Sequence, residues 1–474
     1  MNFTKHPIYT LFILLIVASL SFTARAFSAD TYTQSSVLSS GIWVKVSVAE
    51  SGMHFLPAAR LRAMGFNDPM RVRVYGYGAT RLPDRLDRNS YIDDLPLLQS
   101  TNTSAGVYFY ATGPVSHPLV SGDQFSIEIN PYTTLGYYFL TESDTPLRDI
   151  PSLSGINANT ATSYQECIYH KREIYSAGET GHKLLGEDFL TQRTQSFTFN
   201  TPGRVPGSKA WIECSFWANS NSSSRIVLSV NDNALTYTST DNIAGNSDHY
   251  RHAYATVTRK SFDLDGDKAR ITVNYSPTGV PSMARLDYLV MNYERRLELS
   301  AGSASFQLVS KGGSLSGASA ATHIWDVTDP LDIKSPVSTL DTSTLKWRPI
   351  TNGLRRYVAW QEGATLPSPV MVERIDNQNL HAQPVPDMVI FTHRDWRSQA
   401  ERVATLHRDS ETDPLNVLVV DQQEVFNEFS SGSPDANALR HLLKMFWDRS
   451  SSTTGDNGSH RLRYALIMGR STYD

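Results

Sequence analysis

Pro386-Asp387-Met388-Val389-Ile390-Phe391-Thr392-His393-Arg394 opens the stretch, Pro386 to Asp474, whose reading decides the fold. Met388 to Phe391 form a short continuous apolar run, the signature of a strand buried on both faces, and Thr392-His393-Arg394 closes it. Trp396, Ala400, Val403 and His407 then recur at helical spacing. A second run, Val417-Leu418-Val419-Val420, ends at Asp421, and Asp421-Gln422-Gln423-Glu424 reads as a capping box. Ser433-Pro434 predicts the start of another helix, with apolar positions Ala438, Leu439, Leu442, Leu443 and Phe446. Tyr464 to Met468 is a third strand, ended by Gly469. Strands of this kind, separated by amphipathic helices, predict a parallel α/β sheet whose chemistry sits beyond the carboxyl ends of its strands. Three strands leave such a sheet incomplete, so the expectation is the start of an α/β domain, truncated at Asp474.

Upstream of this segment the composition is that of a folded, multi-domain chain. The 474 residues exceed one ordinary core, and 40% hydrophobic with 19% charged residues argue against disorder. A net charge of -4 without a basic stripe gives no support for a nucleic-acid partner. Two cysteines, Cys167 and Cys214, exclude a disulfide-rich scaffold. Lys5-His6, the apolar run Leu11 to Ala18 and Ala24-Arg25-Ala26 follow the order of a secretory signal peptide, cleaved near Ala26. Export makes a Cys167–Cys214 bridge permissible; two free thiols are equally compatible with the spacing.

The mature chain reads as four parts. Residues 27–163 are a β-rich amino-terminal domain: Ile42, Val44, Val46 and Val48 alternate with Trp43, Lys45 and Ser47, and Val72-Arg73-Val74-Tyr75 runs into Gly76-Tyr77-Gly78. Leu56 to Met64 reads as a short helix, and Arg81 to Leu98 as a long polar loop. Residues 164–297 carry many short alternating strands and predict a β-sandwich, with Ile212, Cys214 and Phe216 facing inward opposite exposed Trp211 and Trp217. Residues 298–383 are a β-rich connecting region whose strands form either a small third unit or the completion of an earlier sheet. Gln383-Pro384-Val385-Pro386 stiffens the step into the α/β part, residues 384–474. The expected fold class is therefore multi-domain: β-rich domains, including a jelly-roll-like sandwich, followed by the truncated start of an α/β domain.

Candidate chemical groups weigh poorly. Asp263-Leu264-Asp265-Gly266-Asp267-Lys268 has its glycine fourth and Asn274 twelfth, so it reads as a polar turn and not a calcium loop. His249 and His252 fall on opposite faces of a strand. His393 and Arg394 follow the first parallel strand, but no nucleophile accompanies them; His441 lies beside Arg440 and Lys444 on what reads as an exposed helix face. Gly-x-Ser-x-Gly, Walker and His-Glu-x-x-His motifs are absent, and Cys214 occupies an apolar β face. The residues imply no catalytic group, metal or cofactor.

A resemblance extends this. Pro386 to His393, the run Val425-Phe426-Asn427-Glu428-Phe429-Ser430-Ser431-Gly432 with Pro434-Asp435, and Tyr464 to Gly469 with Tyr473-Asp474 resemble the start of the gingipain-type cysteine peptidase domain. Val72 to Gly78, Leu82-Pro83, Asp93-Asp94-Leu95-Pro96, Tyr108 to Pro114, and Leu286-Asp287-Tyr288 with Tyr293 to Leu297 resemble the PorU-type sortase family of the type IX secretion system. The resemblance implies that the α/β start is caspase/gingipain-like and that the protein is a cell-surface cysteine endopeptidase of the outer membrane. It would remove C-terminal secretion signals from protein cargo, transfer that cargo to a surface glycolipid and be held by an outer-membrane β-barrel partner. The chemistry implied is thiolate attack with a histidine as base. The family's catalytic histidine and cysteine lie past the position matching Asp474, so no catalytic residue is assigned within the chain, and Glu166-Cys167-Ile168-Tyr169-His170 departs from the family's pattern. The alternatives are a non-catalytic surface module that binds carbohydrate or protein, motivated by Trp211 and Trp217, and a degradative gingipain-like protease.

Overall fold

The computed structural model describes residues 27–176, 183–240, 254–451 and 462–469. The signal-peptide reading, His249, His252, Tyr473 and Asp474 lie outside them.

The first sheet is antiparallel, in the order Val72–Tyr75, Gly136–Glu142, Trp43–Val48, Val370–Ile375. Gly52–Pro57, Gly106–Ala111 and Ser100–Thr103 form a second sheet against it. The two enclose Val44, Val46, Leu56, Leu61, Phe109 and Leu140. The predicted Leu56–Met64 helix is shorter than expected: a strand runs to Pro57 and the helix spans Ala58–Ala63. All six residues of Trp43–Val48 are buried, including Lys45 and Ser47 on the face expected to meet water. That face is covered by the carboxyl-terminal segment.

The sandwich consists of two four-stranded antiparallel sheets. One pairs Ser163–Lys171, Pro281–Arg296, Lys209–Ser220 and Tyr254–Asp263; the other pairs Thr194–Asn200, Lys268–Pro277, Ser224–Val230 and Asn233–Thr240. Alternation fills the space between them with Ile212, Cys214, Phe216, Ile226, Leu228, Ile271, Val273 and Leu289. A fully buried side chain such as Phe216 contributes about 1.5–3 kcal/mol through removal of apolar surface from water. Asp263 to Lys268 is the turn between two strands, with Gly266 at its corner.

The connecting region realises both of its alternatives. Ser303–Val309, Leu354–Gln361 and Thr322–Asp326 make a sheet with its own core around Phe306, Trp347 and Tyr357. Its last strand, Val370–Ile375, leaves that unit and completes the first sheet beside Trp43–Val48.

After Pro386 the sheet is parallel. Met388–Thr392 lies in the middle, with Val417–Asp421 and Tyr464–Ile467 on either side. Helix Arg397–Arg408 covers one face through Ala400, Val403 and Ala404, while Trp396 and His407 stay exposed. Helices Gln422–Phe429 and Ala436–Ser451 cover the other through Val425, Phe426, Leu442 and Phe446. Asp421 caps the first of these through the Gln423 N–H. The second begins at Ala436 and not at Ser433-Pro434, because Asp435 takes the Asn437 N–H as its first cap bond. Among the described residues no helix is long and apolar enough to cross a membrane.

Candidate functional site

At the carboxyl ends of the parallel strands the structure brings together His393, Arg394 and Asp421. His393 is exposed; its Nδ1 accepts the Asp395 N–H at 3.3 Å and so caps a short turn. The Arg394 guanidinium lies 3.6 Å from Asp421, and Arg397 lies 3.8 Å from Glu424. The group is an electrostatic rim with no thiol in it.

Both cysteines are free and sit elsewhere. Burial, then the charges of Asp287 and Glu213, push the Cys214 thiol up to about 12. Cys167 lines a cleft of about 910 Å³ with Tyr110, His117, Glu166, Tyr169 and Arg356. Burial, then Glu166 and Glu213, push its thiol far upward. A thiol held protonated at neutral pH is a poor nucleophile. The two tryptophans that motivated a binding face are only half-buried flanks of the sandwich. Trp217 is engaged internally, its indole N–H reaching Asp287 at 3.4 Å and Lys183 lying over its ring.

A buried polar constellation lies instead at the junction between the first sheet and the α/β segment. His381 and Glu428 are buried, and the imidazole stacks on Phe429 at 4.6 Å between centroids. His381 Nδ1 lies 2.6 Å from Glu428 and Nε2 lies 3.3 Å from Asp93. Glu428 also accepts the backbone N–H groups of Leu380 and His381 and the Gln378 amide. Asp94 accepts from the Ser36 hydroxyl and the Val37 N–H. Burial opposes a charge on His381, but hydrogen bonds and attraction from Asp93 and Glu428 outweigh it and raise the imidazole to about 9. Burial raises Asp94 to about 6. Asp94, His381 and Glu428 offer an oxygen, nitrogen and oxygen set within 4.8 Å of one another. The carboxylates already accept from N–H and O–H donors, and His381 Nδ1 sits at hydrogen-bond distance from Glu428; the trio reads as a hydrogen-bonded clasp.

Beside it, Lys45 donates to Asn427 Oδ1 at 3.2 Å and to the Gly432 carbonyl at 3.1 Å, under the ring of Tyr137. Burial holds its ammonium down to about 8, against the pull of Glu373. Ser431, at φ +50°, accepts the Tyr77 N–H and donates to the Tyr137 carbonyl. Gly76 makes this approach possible: at φ +115°, a Cβ there would lie 2.5 Å from Ser431 Oγ. Asp435 accepts the Leu82 N–H, and Arg440 donates to the Pro83 carbonyl. The motifs Val72 to Gly78, Leu82-Pro83, Asp93-Asp94 and Asn427 to Gly432, far apart in sequence, therefore meet at one interface.

His441 corrects its reading. It is 1% exposed, pressed against Tyr91 at 5.0 Å, and burial followed by Arg440 holds its imidazole down to about 4. Arg440 and Lys444 mark the edges of that helix face, and the Tyr91 loop covers what lies between them. Lys45 and His381 carried no sequence signal, since one alternates as a solvent-facing residue would and the other lies in a linker.

With this geometry in place, comparison with solved structures is decisive. The dimeric latent PorU of Porphyromonas gingivalis superposes with a TM-score of 0.83 at 26% identity over 92% of this chain. The chain is similar to PorU along nearly its whole length. It spans 42% of that PorU chain. Residues 381–474 match the model of Peptidase family C25. Other likenesses carry no argument. The C-terminal CBM6 of LamC from Zobellia galactanivorans has a TM-score of 0.15 at 9% identity, over 20% of this chain and 70% of that chain. BpGH86A of Bacteroides plebeius reaches 0.18 at 10% identity, over 54% of this chain and 35% of that chain. No curated protein matches the sequence.

Proposed function

We propose that this chain supplies the β-domains and opening strands of an exported, cell-surface, gingipain-like cysteine endopeptidase that removes C-terminal secretion signals from type IX cargo. In this reading the cargo passes to a surface glycolipid, an outer-membrane β-barrel holds the enzyme, and the reactive cysteine and histidine lie past the position of Asp474. One observation carries the reading: PorU-like β-domains and a C25 opening occur in one chain, locked together by the Lys45, Ser431 and His381 contacts. The β-domains would set where cargo enters, and the rim of Arg394, Arg397, Asp421 and Glu424 would border the site where the thiolate attacks. Neither Cys167 nor Cys214 takes part.

The test is removal of the gene from its host, followed by mass spectrometry of surface proteins that carry the signal. Cargo retaining its C-terminal signal is the expected result. Normal processing in the deletion strain would falsify the sortase assignment and leave a degradative protease as the surviving variant.

A further inference from the structure

The clasp holds three parts of the chain that are remote in sequence. Residues 28–39 run as a strap: Tyr32 donates to Asp448, Arg449 donates to the Thr33 carbonyl, and Gln378 donates its N–H to the Leu38 carbonyl. The Arg81–Leu98 loop brings Asp93 and Asp94, and the Gln422–Phe429 helix brings Glu428. His381, in the linker, sits where all three converge, and Arg449 of the last helix donates to its carbonyl.

The ring geometry imposes a protonation state. A carboxylate accepts hydrogen bonds and cannot donate them, and His381 has a carboxylate at each nitrogen. A neutral imidazole carries one N–H and would leave a lone pair facing the other carboxylate; only imidazolium donates at both. Its loss would also remove the positive charge that faces Asp93, Asp94 and Glu428, with Arg449 remaining as a basic neighbour of Asp93 and His441 uncharged at neutral pH.

We propose that the proton on His381 is a latch: with it, the strap and the C25 segment stay docked on the first sheet, and without it they lift away as the medium becomes mildly alkaline. The sign follows from linkage. His381 is raised from 6.5 to about 9, so its contribution is full below 6.5 and is lost as pH climbs toward 9. Asp94, raised from 3.8 to about 6, acts in the same sense, whereas His441, lowered from 6.5 to about 4, acts in the opposite sense. These two offset each other between pH 4 and 6.5. Lys45, lowered from 10.5 to about 8, opposes His381 only above 8. Tyr32, Tyr77 and Tyr91 are pushed far upward by burial and do not titrate there. Of these groups only His381 changes its contribution between pH 6.5 and 8.

Hydrogen–deuterium exchange on the 474-residue chain, corrected for intrinsic rates, reads the opening of the strap and of helix Gln422–Phe429 at pH 6.5, 7.2 and 8. The expected result is an opening constant that rises toward tenfold per pH unit, the limit for one proton. Exchange in the sandwich strand Lys209–Ser220 should stay constant. His381→Gln should open more at pH 6.5 and lose the slope, while Lys45→Met should keep it. A flat wild-type profile, or an unchanged slope in His381→Gln, overturns the latch. If His381→Gln does not fold, an NMR titration of the native His381 ring decides: titration near 6.5 rejects the latch and titration well above it supports it.

Discussion

The Lys45 ammonium lies 3.1 Å from the carbonyl oxygen of Gly432, joining a strand of the first sheet to the loop after the Gln422–Phe429 helix. The bond spans the two parts of the chain that sequence reading treats as separate domains. It also explains why Lys45 is buried on the strand face opposite the core valines Val44, Val46 and Val48.

Lys45→Met should cost about 1–3 kcal/mol at pH 7, because Gly432 O and one contact of Asn427 are left without a donor. The depressed ammonium means that the folded state binds fewer protons than the unfolded chain between pH 8 and 10.5, so wild-type stability gains from this group as pH rises there. Chemical denaturation at pH 7 and 9.5 should give a more favourable change with pH in the wild type than in the methionine variant, the loss from His381 being common to both.

Gly76→Ala places a Cβ against Ser431 Oγ and forces a left-handed backbone on alanine. A loss of about 1–3 kcal/mol is expected, with the melting transition of the junction moving and the sandwich core unaffected. Ser431→Ala alone should cost less, about 1 kcal/mol, since it removes hydrogen bonds without adding a clash. Equal effects from the two substitutions would show that the close approach at Gly76 is unimportant.

Asp287, buried in the sandwich, is approached by Lys171 at 2.9 Å and Lys183 at 2.8 Å. Burial pushes its carboxyl up, but the two ammonium groups outweigh burial and hold it below the usual aspartate range. Its contribution is present above pH 3.8 and fades as pH falls below that value. Asp287→Asn should therefore lower stability at pH 7 and flatten the acid limb of the unfolding profile.

Iodoacetamide at pH 7.5 should leave Cys167 and Cys214 largely unmodified in the native chain and alkylate both in denaturant, as counted by intact mass. Rapid native labelling of either would contradict the burial that keeps the thiols protonated.

Much of the architecture was legible from local pattern. Continuous apolar runs at Met388–Phe391 and Val417–Val420 identify strands covered on both faces, and the alternation through Ile212, Cys214 and Phe216 identifies a sandwich face. What escaped was set by contacts remote in sequence. Lys45 looks solvent-facing until Gly432 covers it; His441 looks exposed until Tyr91 closes over it. His381 acquires its role from Asp93 and Glu428, which no spacing rule associates with a linker histidine. The Val370–Ile375 strand carries no mark of its partner, Trp43–Val48, because any edge accepts any extended chain.

That pairing has a mechanical meaning. Trp43 lies opposite Ile375 and Ser47 opposite Val370, so residues 49 to 369, which supply the sheet's Val72–Tyr75 and Gly136–Glu142 strands as well as the sandwich, form one long loop of chain that returns beside its starting point. Tension applied between the strap and the C25 segment enters and leaves at the Trp43–Ile375 end and peels the two strands apart bond by bond. The sandwich hangs outside that line of force and carries no load until the seam has opened. The Gln378–Leu38 and Arg449–Thr33 bonds bridge the mouth of the seam and are the first to bear the pull.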